Sequence, residues 1–282
     1  CGNEFGLDCA DYLNFLADDP DTEIIVAMLE SIRRPHAFME AARRAFESEK
    51  PLILVKLGKS ELGKEQAKTH TGAVAVDDDV FMAMCRKYGI TRCQSLDDMV
   101  EIAMAFTQKR YPEGDKLAIV TTSGGAVGLS LDAVADEGAV LARISNDSVQ
   151  KMVDLVPEEI DVYNPMDAGT PLAGDVARFC KLCKLFADDP AVDIVAMQGR
   201  LPLPGDTETA HLYVDLRDYT SKPILPFARM SENADEEYRD FQDAAGMPFL
   251  FGIPETVKSM QALVKYGAAK RRGIKNTPKP IG

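Results

Sequence analysis

A repeated segment constrains the fold more than any other feature of this sequence. Ala-Asp-Asp-Pro closes a helical stretch at Ala17–Pro20 and again at Ala187–Pro190, and each time a short apolar run follows. Each copy then passes through a second helical stretch to a Lys-Pro pair and another apolar run. Apolar runs that alternate with helical stretches are typical of parallel strands covered by helices. The apolar runs of the two strand–helix–strand copies are 24–28 and 50–55, and 194–197 and 222–227.

The second copy is preceded by a strand, a glycine turn and a helix that the first copy lacks. The apolar run 117–120 leads into Thr-Thr-Ser-Gly-Gly-Ala at 121–126, and helical sequence continues to Glu137. The same distance counted back from Ala17 falls before residue 1. We therefore expect an α/β protein with two doubly wound parallel-sheet domains. We also expect the first domain to be truncated at its N-terminus, with its glycine loop outside this chain.

Length and composition place the expected domain boundaries. A chain of 282 residues fits two domains of ordinary size. The first is expected over 1–111, the segment Pro-Glu-Gly-Asp at 112–115 is a linker, and the second domain covers 116–272. The polar, proline-containing end at 273–282 is typical of a flexible tail.

Charge and hydropathy exclude two classes of partner. The formal net charge is −13, and nucleic-acid backbones bind clustered Lys and Arg instead. No apolar run approaches the roughly 20 residues that cross a bilayer. We expect no nucleic-acid partner, no membrane partner and a cytoplasmic location.

The cysteines indicate neither a disulfide framework nor a metal site. Six of them are scattered along the chain, unlike those of small secreted domains. Cys180 and Cys183 have the C-x-x-C spacing of a zinc or redox pair, but they share an amphipathic helical pattern with Phe179 and Phe186. We therefore predict buried helix cysteines and no bound metal.

His70 is the candidate catalytic residue. It lies among small residues in the loop 68–73, which lets its ring reach a substrate. Glu30 follows the apolar run 24–29 and is the candidate acid that orients the ring. An imidazole held by a carboxylate suits acceptance and transfer of a phosphoryl group. A surface histidine beside a helix cap is the alternative interpretation of the same residue.

Two further segments are candidate binding loops. Ser123, Gly124 and Gly125 lie where a strand meets a helix, and the free N–H groups there favour an anion, phosphate above all. The turn matches neither the P-loop nor the dinucleotide pattern. Asn164 and Asp167, around a proline, are weaker candidates for substrate contact, and a rigid loop at a strand end explains them equally well.

The segment Gly58–Ala73, GKSELGKEQAKTHTGA, resembles the region around the phosphorylated histidine of NDP-forming acyl-CoA synthetases. This family includes ADP-forming acetate–CoA ligases and is related to succinyl-CoA synthetase. Segments 2–20, 122–125 and 164–167 resemble it as well, and the resemblance extends over nearly the whole chain. It implies two flavodoxin-like domains of the succinyl-CoA synthetase type.

The same resemblance implies a reaction and roles for residues. Acyl-CoA, phosphate and NDP are interconverted with carboxylic acid, CoA and NTP through an acyl phosphate and a phosphohistidine. His70 corresponds to that histidine, Glu30 to the acid that steadies it, and Ser123, Gly124 and Gly125 to the start of a phosphate-holding helix.

The substrates and partners implied are those of a larger enzyme. Coenzyme A and ATP/ADP, or GTP/GDP, with Mg are substrates of the complete enzyme, and we expect this part to bind none tightly and to be inactive alone. A CoA-binding Rossmann domain and an ATP-grasp domain or subunit are the expected partners, in an oligomer.

Two other functions stay open at the level of sequence. Similar domains occur fused to protein acetyltransferases, where they regulate, so a non-catalytic module that senses CoA or nucleotide is one alternative. The joint presence of His70 and Glu30 argues against it, because a sensor needs no nucleophile. The other alternative is a flavodoxin-like binding or structural protein whose glycines only turn the chain.

Overall fold

The computed structural model describes residues 4, 6–58, 60, 62–63, 65, 78–199, 209–229 and 236–274, without the side chains of 236–238. By internal packing the chain divides into two compact units, one of Cys1–Ala103 with Lys265–Gly282 and one of Met104–Val264. Both units are α/β with parallel sheets, so the predicted fold class is confirmed. The domain boundaries drawn from the sequence at 111 and 116 stay a prediction. None of the described helices is long and apolar enough to cross a bilayer.

The first unit contains a three-stranded parallel sheet in the order β1-β2-β3. Helices α1 and α2 pack against each other and against one face of the sheet, around the buried rings of Phe38 and Phe81. The elements up to the second unit are α1 Cys9–Asp18, β1 Ile25–Leu29, α2 Pro35–Glu47, β2 Leu52–Lys56, α3 Asp78–Tyr88, β3 Thr91–Cys93 and α4 Leu96–Phe106.

The second unit contains a larger parallel sheet whose main path runs β5-β4-β7-β8-β9. When the short strand β6, which lies off this path, is left out of the numbering, this is the order 2-1-3-4-5 of flavodoxin-like folds. The elements are β4 Lys116–Thr121, α5 Gly124–Asp136, β5 Val140–Leu141, α6 Asn146–Met152, β6 Met166–Asp167, α7 Thr170–Ala173, α8 Val176–Asp188, β7 Ile194–Gln198, α9 Ala210–Tyr219, β8 Ile224–Ala228, α10 Glu236–Ala245, β9 Leu250–Phe251 and α11 Ile253–Arg272. The part of α11 from Lys265 onward belongs to the first unit.

The short strand β6 shares one edge of β4 with β5. Val120 of β4 pairs with Met166 of β6 and also with Met197 of β7, so β6 and β7 lie on opposite edges of β4. Strand β5 pairs with the start of β4, and β6 pairs with its end. The carboxyl end of β4 is therefore flanked by β6 on one side and by β7 on the other.

The sequence repeat has a structural cause. Ile25 N donates to the carbonyl oxygen of the proline before β2 (2.9 Å), and Val195 N donates to that of the proline before β8 (3.1 Å). The lysine of each Lys-Pro pair holds the end of the helix that closes at its copy of Asp-Asp-Pro: Lys50 Nζ donates to Leu16 O of α1 (2.9 Å), and Lys222 Nζ donates to Ala187 O of α8 (2.7 Å). Each ammonium also binds the carbonyl of the second aspartate in its Asp-Asp-Pro. Cations at these positions satisfy the free carbonyls of a helix C-terminus.

Candidate functional site

The candidate anion site begins where β4 ends. The side chains from Leu117 to Thr121 are buried, as expected for the central strand of a parallel sheet. Thr121 Oγ1 donates to Met166 O (3.1 Å) and accepts from Ser123 N (3.4 Å), which fixes the turn out of the strand. Sequence analysis did not single out Thr121, although it begins the Thr-Thr-Ser-Gly-Gly segment.

The N-terminus of α5 is open. Ser123 is the N-cap with an extended backbone (φ −157°, ψ 123°), and its side chain makes no capping hydrogen bond. Its carbonyl accepts from Ala126 N (3.0 Å) and Val127 N (3.2 Å). Gly124 and Gly125 are exposed, and in the described part of the chain their N–H groups have no acceptor. Unpaired N–H groups and the helix dipole together favour an anion at this position.

The glycines keep this helix start accessible. A Cβ placed on Gly124 would lie 3.4 Å from Asp167 Oδ2, and one on Gly125 would lie 3.8 Å from Ser123 Oγ, with no other described atom within 4 Å outside the neighbouring residues and helix backbone. Neither glycine has a positive φ. Their use here is therefore close approach of a ligand to the backbone.

The position in the sheet supports a binding site. Strands β4 and β7 are neighbours at the point where the strand order reverses, and ligands of such sheets bind outside the carboxyl ends of these strands. Gln198, the last residue of β7, donates from Nε2 to Thr122 Oγ1 (3.2 Å), and its buried Oε1 has no hydrogen-bond partner among the described residues. Sequence analysis missed Gln198, and the available signal was a polar residue directly after a buried apolar run.

Asp167 lies against the same helix start. Thr121 and Asp167 are paired across β4 and β6, which brings the carboxylate beside Gly124. Asp167 Oδ1 accepts from Gly169 N (3.0 Å), and no hydrogen bond to Oδ2 is present in the described part of the chain. The structure thus brings together Ser123, Gly124, Gly125 and Asp167, which the sequence had suggested as separate loops.

Asn164 has a structural task instead. Its Nδ2 donates to Leu117 O (2.7 Å) and Ala142 O (3.0 Å), and its Oδ1 accepts from Ile119 N (2.9 Å). The amide therefore joins β4 to the chain after β5, next to the last backbone bond between them, from Ala142 N to Leu117 O (2.8 Å). These bonds support the interpretation of a rigid loop at a strand end over substrate contact.

The structure describes Glu30, whereas His70 lies outside the described residues. Glu30 directly follows β1 and is half-buried at the carboxyl end of that strand. His70 lies in 66–77, outside the described residues, so its pairing with Glu30 stays a prediction. Among the described residues no group of three or more His, Cys, Asp or Glu is arranged to hold a metal ion.

The C-x-x-C pair is part of the core. Cys180 and Cys183 are both buried in α8 and both are free thiols, as the amphipathic pattern predicts. Burial raises the pKa of Cys180 to about 12 and that of Cys183 well above its usual value. Because the thiolate is the reactive form, these cysteines are inert packing residues.

Comparison with known proteins gives the family context of this geometry. Residues 1–106 match the family model described as succinyl-CoA ligase like flavodoxin domain. The chain is 34% identical over 274 residues to the alpha subunit of ADP-forming acetate–CoA ligase I of Pyrococcus furiosus, covering 96% of this chain and 58% of that subunit. It is 29% identical over 275 residues to ADP-forming acetate–CoA ligase II of Archaeoglobus fulgidus, covering 96% of this chain and 40% of that protein.

The chain is a relative of the ADP-forming acyl-CoA ligases. The resemblance carried by the His70 segment is therefore confirmed. A solved structure agrees: dinucleotide forming acetyl-coenzyme A synthetase 1 of Ca. Korarchaeum cryptofilum, in complex with phosphate and ADP, superposes with a TM-score of 0.79 at 26% identity. The match covers 96% of this chain and 58% of that one. The chain thus spans about half the length of the relatives it matches.

Proposed function

We propose that this chain is the phosphohistidine-bearing part of an NDP-forming acyl-CoA synthetase. The observation that carries the proposal is the open N-terminus of α5 at Ser123–Gly125, at the switch point of a flavodoxin-like sheet. It offers unpaired N–H groups where this reaction needs to hold a phosphoryl group without a mobile cation. The related synthetase solved with phosphate and ADP supports phosphate as the ligand.

His70 and Glu30 take the transfer roles in this proposal. Phosphate first displaces CoA from the thioester carbon, which gives an acyl phosphate. A neutral nitrogen of His70 then attacks phosphorus, the bond from phosphorus to the acyl oxygen breaks, and the carboxylate leaves. Transfer of the phosphoryl group from His70 to a nucleoside diphosphate gives the triphosphate. Glu30 accepts a hydrogen bond from the other ring nitrogen, which fixes the tautomer and offsets positive charge on the ring.

The remaining machinery lies in other parts of the protein or in a second subunit. We propose a CoA-binding Rossmann domain and an ATP-grasp domain, which bring coenzyme A and ATP/ADP or GTP/GDP with Mg, and an oligomeric, cytoplasmic enzyme. This chain alone is expected to be inactive. Relatives in which the matched region is 40% or 58% of the protein support this division.

The exposed edge of the first sheet supports a further part of the proposal, namely that another strand completes this sheet. Within the described part of the chain, strand β1 pairs only with β2, whereas its counterpart β7 pairs with both β4 and β8. Val26 is 49% exposed and Met28 is 56% exposed on β1, whereas Ala196, the counterpart of Val26, is fully buried. We propose that a strand and helix equivalent to β4 and α5, from outside these 282 residues, complete the first domain.

Labelling of the complete protein tests the proposal. Incubation with ATP labelled at the γ-phosphate is expected to give an acid-labile phosphohistidine, and His70→Asn is expected to abolish both the label and ligase activity. His36→Asn is the matched control, because His36 is exposed at the start of α2 and distant in sequence from the motif. A label that survives His70→Asn would contradict the assignment.

A substitution at Glu30 tests the second role. Glu30→Gln removes the carboxylate charge but keeps the size of the side chain. We expect it to slow labelling of His70 on the order of 10²-fold, the scale of general acid–base contributions. Unchanged labelling kinetics in this variant, measured by rapid quench, would exclude Glu30 as the orienting acid.

A further inference from the structure

The candidate anion site contains a negative charge. Asp167 Oδ2 lies 3.4 Å from the position that a Cβ on Gly124 would take, and it accepts no hydrogen bond within the described part of the chain. Its partner oxygen Oδ1 is held by Gly169 N (3.0 Å), so the carboxylate has a fixed orientation. An anion that binds the N–H groups of Gly124 and Gly125 therefore meets the free carboxylate oxygen.

A carboxylate in an anion site discriminates between oxyanions by their protons. An ionised carboxylate is an acceptor only, so it repels an oxyanion that has no proton to donate. An oxyanion that carries a hydroxyl group donates to it in a strong charge-assisted hydrogen bond. Phosphate and arsenate carry such a hydroxyl at neutral pH, and sulfate does not.

We propose that Asp167 makes this site select protonated oxyanions, phosphate and arsenate, and reject sulfate. The inference rests on the proposed function, because it specifies which anion the start of α5 holds. Among the described residues, the Thr122 hydroxyl and the Gln198 amide at the same strand ends are neutral and adapt to either anion. The specificity therefore depends on Asp167.

The experiment compares anion binding by the complete protein. Binding of inorganic phosphate, arsenate and sulfate is measured by titration calorimetry at pH 7.5. The wild-type protein is expected to bind phosphate and arsenate alike and sulfate at least about tenfold more weakly, the scale of one hydrogen bond to a charged group. Equal affinity of the wild-type protein for sulfate and phosphate would overturn the inference without any variant.

Asp167→Asn identifies the residue responsible. Asn keeps an oxygen to accept from Gly169 N and places an NH2 group, which donates to any oxyanion, where Oδ2 was. We expect the preference for phosphate over sulfate to fall to about threefold or less, mainly through tighter sulfate binding. A variant that keeps the wild-type preference would overturn the inference.

The matched control is Asp175→Asn. Asp175 is an exposed N-cap of α8 that accepts from Arg178 N (2.9 Å), and Asn caps helices equally well. It removes the same charge from the same unit, so its anion preference should stay that of the wild-type protein. Failure of the proposed function would look different: no anion would bind, and His70 would not become labelled.

Discussion

Among single residues, Asn164 shows how one side chain replaces backbone pairing. Asn164→Ala removes all three hydrogen bonds and leaves the N–H of Ile119 and the carbonyl of Ala142 unpaired, whereas the Leu117 carbonyl keeps its bond from Ala142 N (2.8 Å). We expect a loss of about 2–4 kcal/mol in the free energy of unfolding, because buried unpaired backbone groups are costly. Urea denaturation of the chain measures it. Asn146→Ala, at an exposed helix position, should change stability by less than about 0.5 kcal/mol.

The Asp8–Arg34 pair adds a prediction about pH. Arg34 donates from Nε and Nη2 to the buried Asp8 carboxylate at 2.6 Å, and this lowers the pKa of Asp8. A carboxyl group whose pKa is lowered by folding stabilises the folded state at pH values above its unfolded pKa of about 4. This stabilisation is lost as the pH falls through the folded-state pKa. Arg34→Met should lower the free energy of unfolding at pH 7 only modestly, since Arg34 is half exposed and solvent screens the pair.

The pH dependence of the unfolding free energy distinguishes the Asp8–Arg34 ion pair from a general effect of removing one positive charge. The difference in unfolding free energy between wild type and Arg34→Met should shrink progressively below pH 4. Urea denaturation at several pH values measures it. Arg143→Met, at an exposed position, should leave stability unchanged at every pH. A cost for Arg34→Met that is the same at pH 7 and pH 3 would show that packing, not the ion pair, holds Asp8.

At the scale of elements, Lys50 and Lys222 should contribute equally to the stability of the folded chain. The ammonium of Lys50 binds the Leu16 carbonyl at the end of α1 and that of Lys222 binds the Ala187 carbonyl at the end of α8, so replacement by Met leaves these carbonyls unpaired. We expect Lys50→Met and Lys222→Met each to lower stability by about 1–2 kcal/mol. Lys181→Met, on the exposed side of α8, is the control. A loss confined to one of the two would mean that the sequence repeat does not reflect a shared structural role.

The elements also show where sequence reasoning stops. Apolar runs of four to six residues revealed β1, β2, β4, β7 and β8, because a buried parallel strand has a continuous local signal. The two-residue strands β5, β6 and β9 have no such signal and form only because longer strands offer free edges. Asn164 bonds to residues 45 and 47 positions away, so its task was not visible in local sequence. The glycine turn and Asp167 were each predicted as candidate binding residues, but not that the carboxylate lies beside the turn.

At the scale of the whole molecule, the two sheets should differ in local stability. Strand β1 has one neighbour and β7 has two, so N–H groups on the outer edge of β1 lack ladder partners among the described residues. Amides without such partners open at low free energy. In hydrogen exchange of this chain, peptides covering 25–29 should exchange about tenfold or more faster than those covering 194–198, a difference of ~1.4 kcal/mol in opening free energy.

The controls for this experiment are the second strands of the two copies. Both β2 and β8 have two neighbours, so 52–56 and 224–228 should exchange at similar, slow rates in this chain. In the complete protein, the added strand should bring 25–29 to the slow rate of 194–198 and leave the controls unchanged. Slow exchange of 25–29 already in this chain would mean that a second copy of the chain covers the edge of β1. Dilution would then separate the copies and restore fast exchange. Fast exchange in the complete protein would contradict the proposal that the first sheet gains a strand.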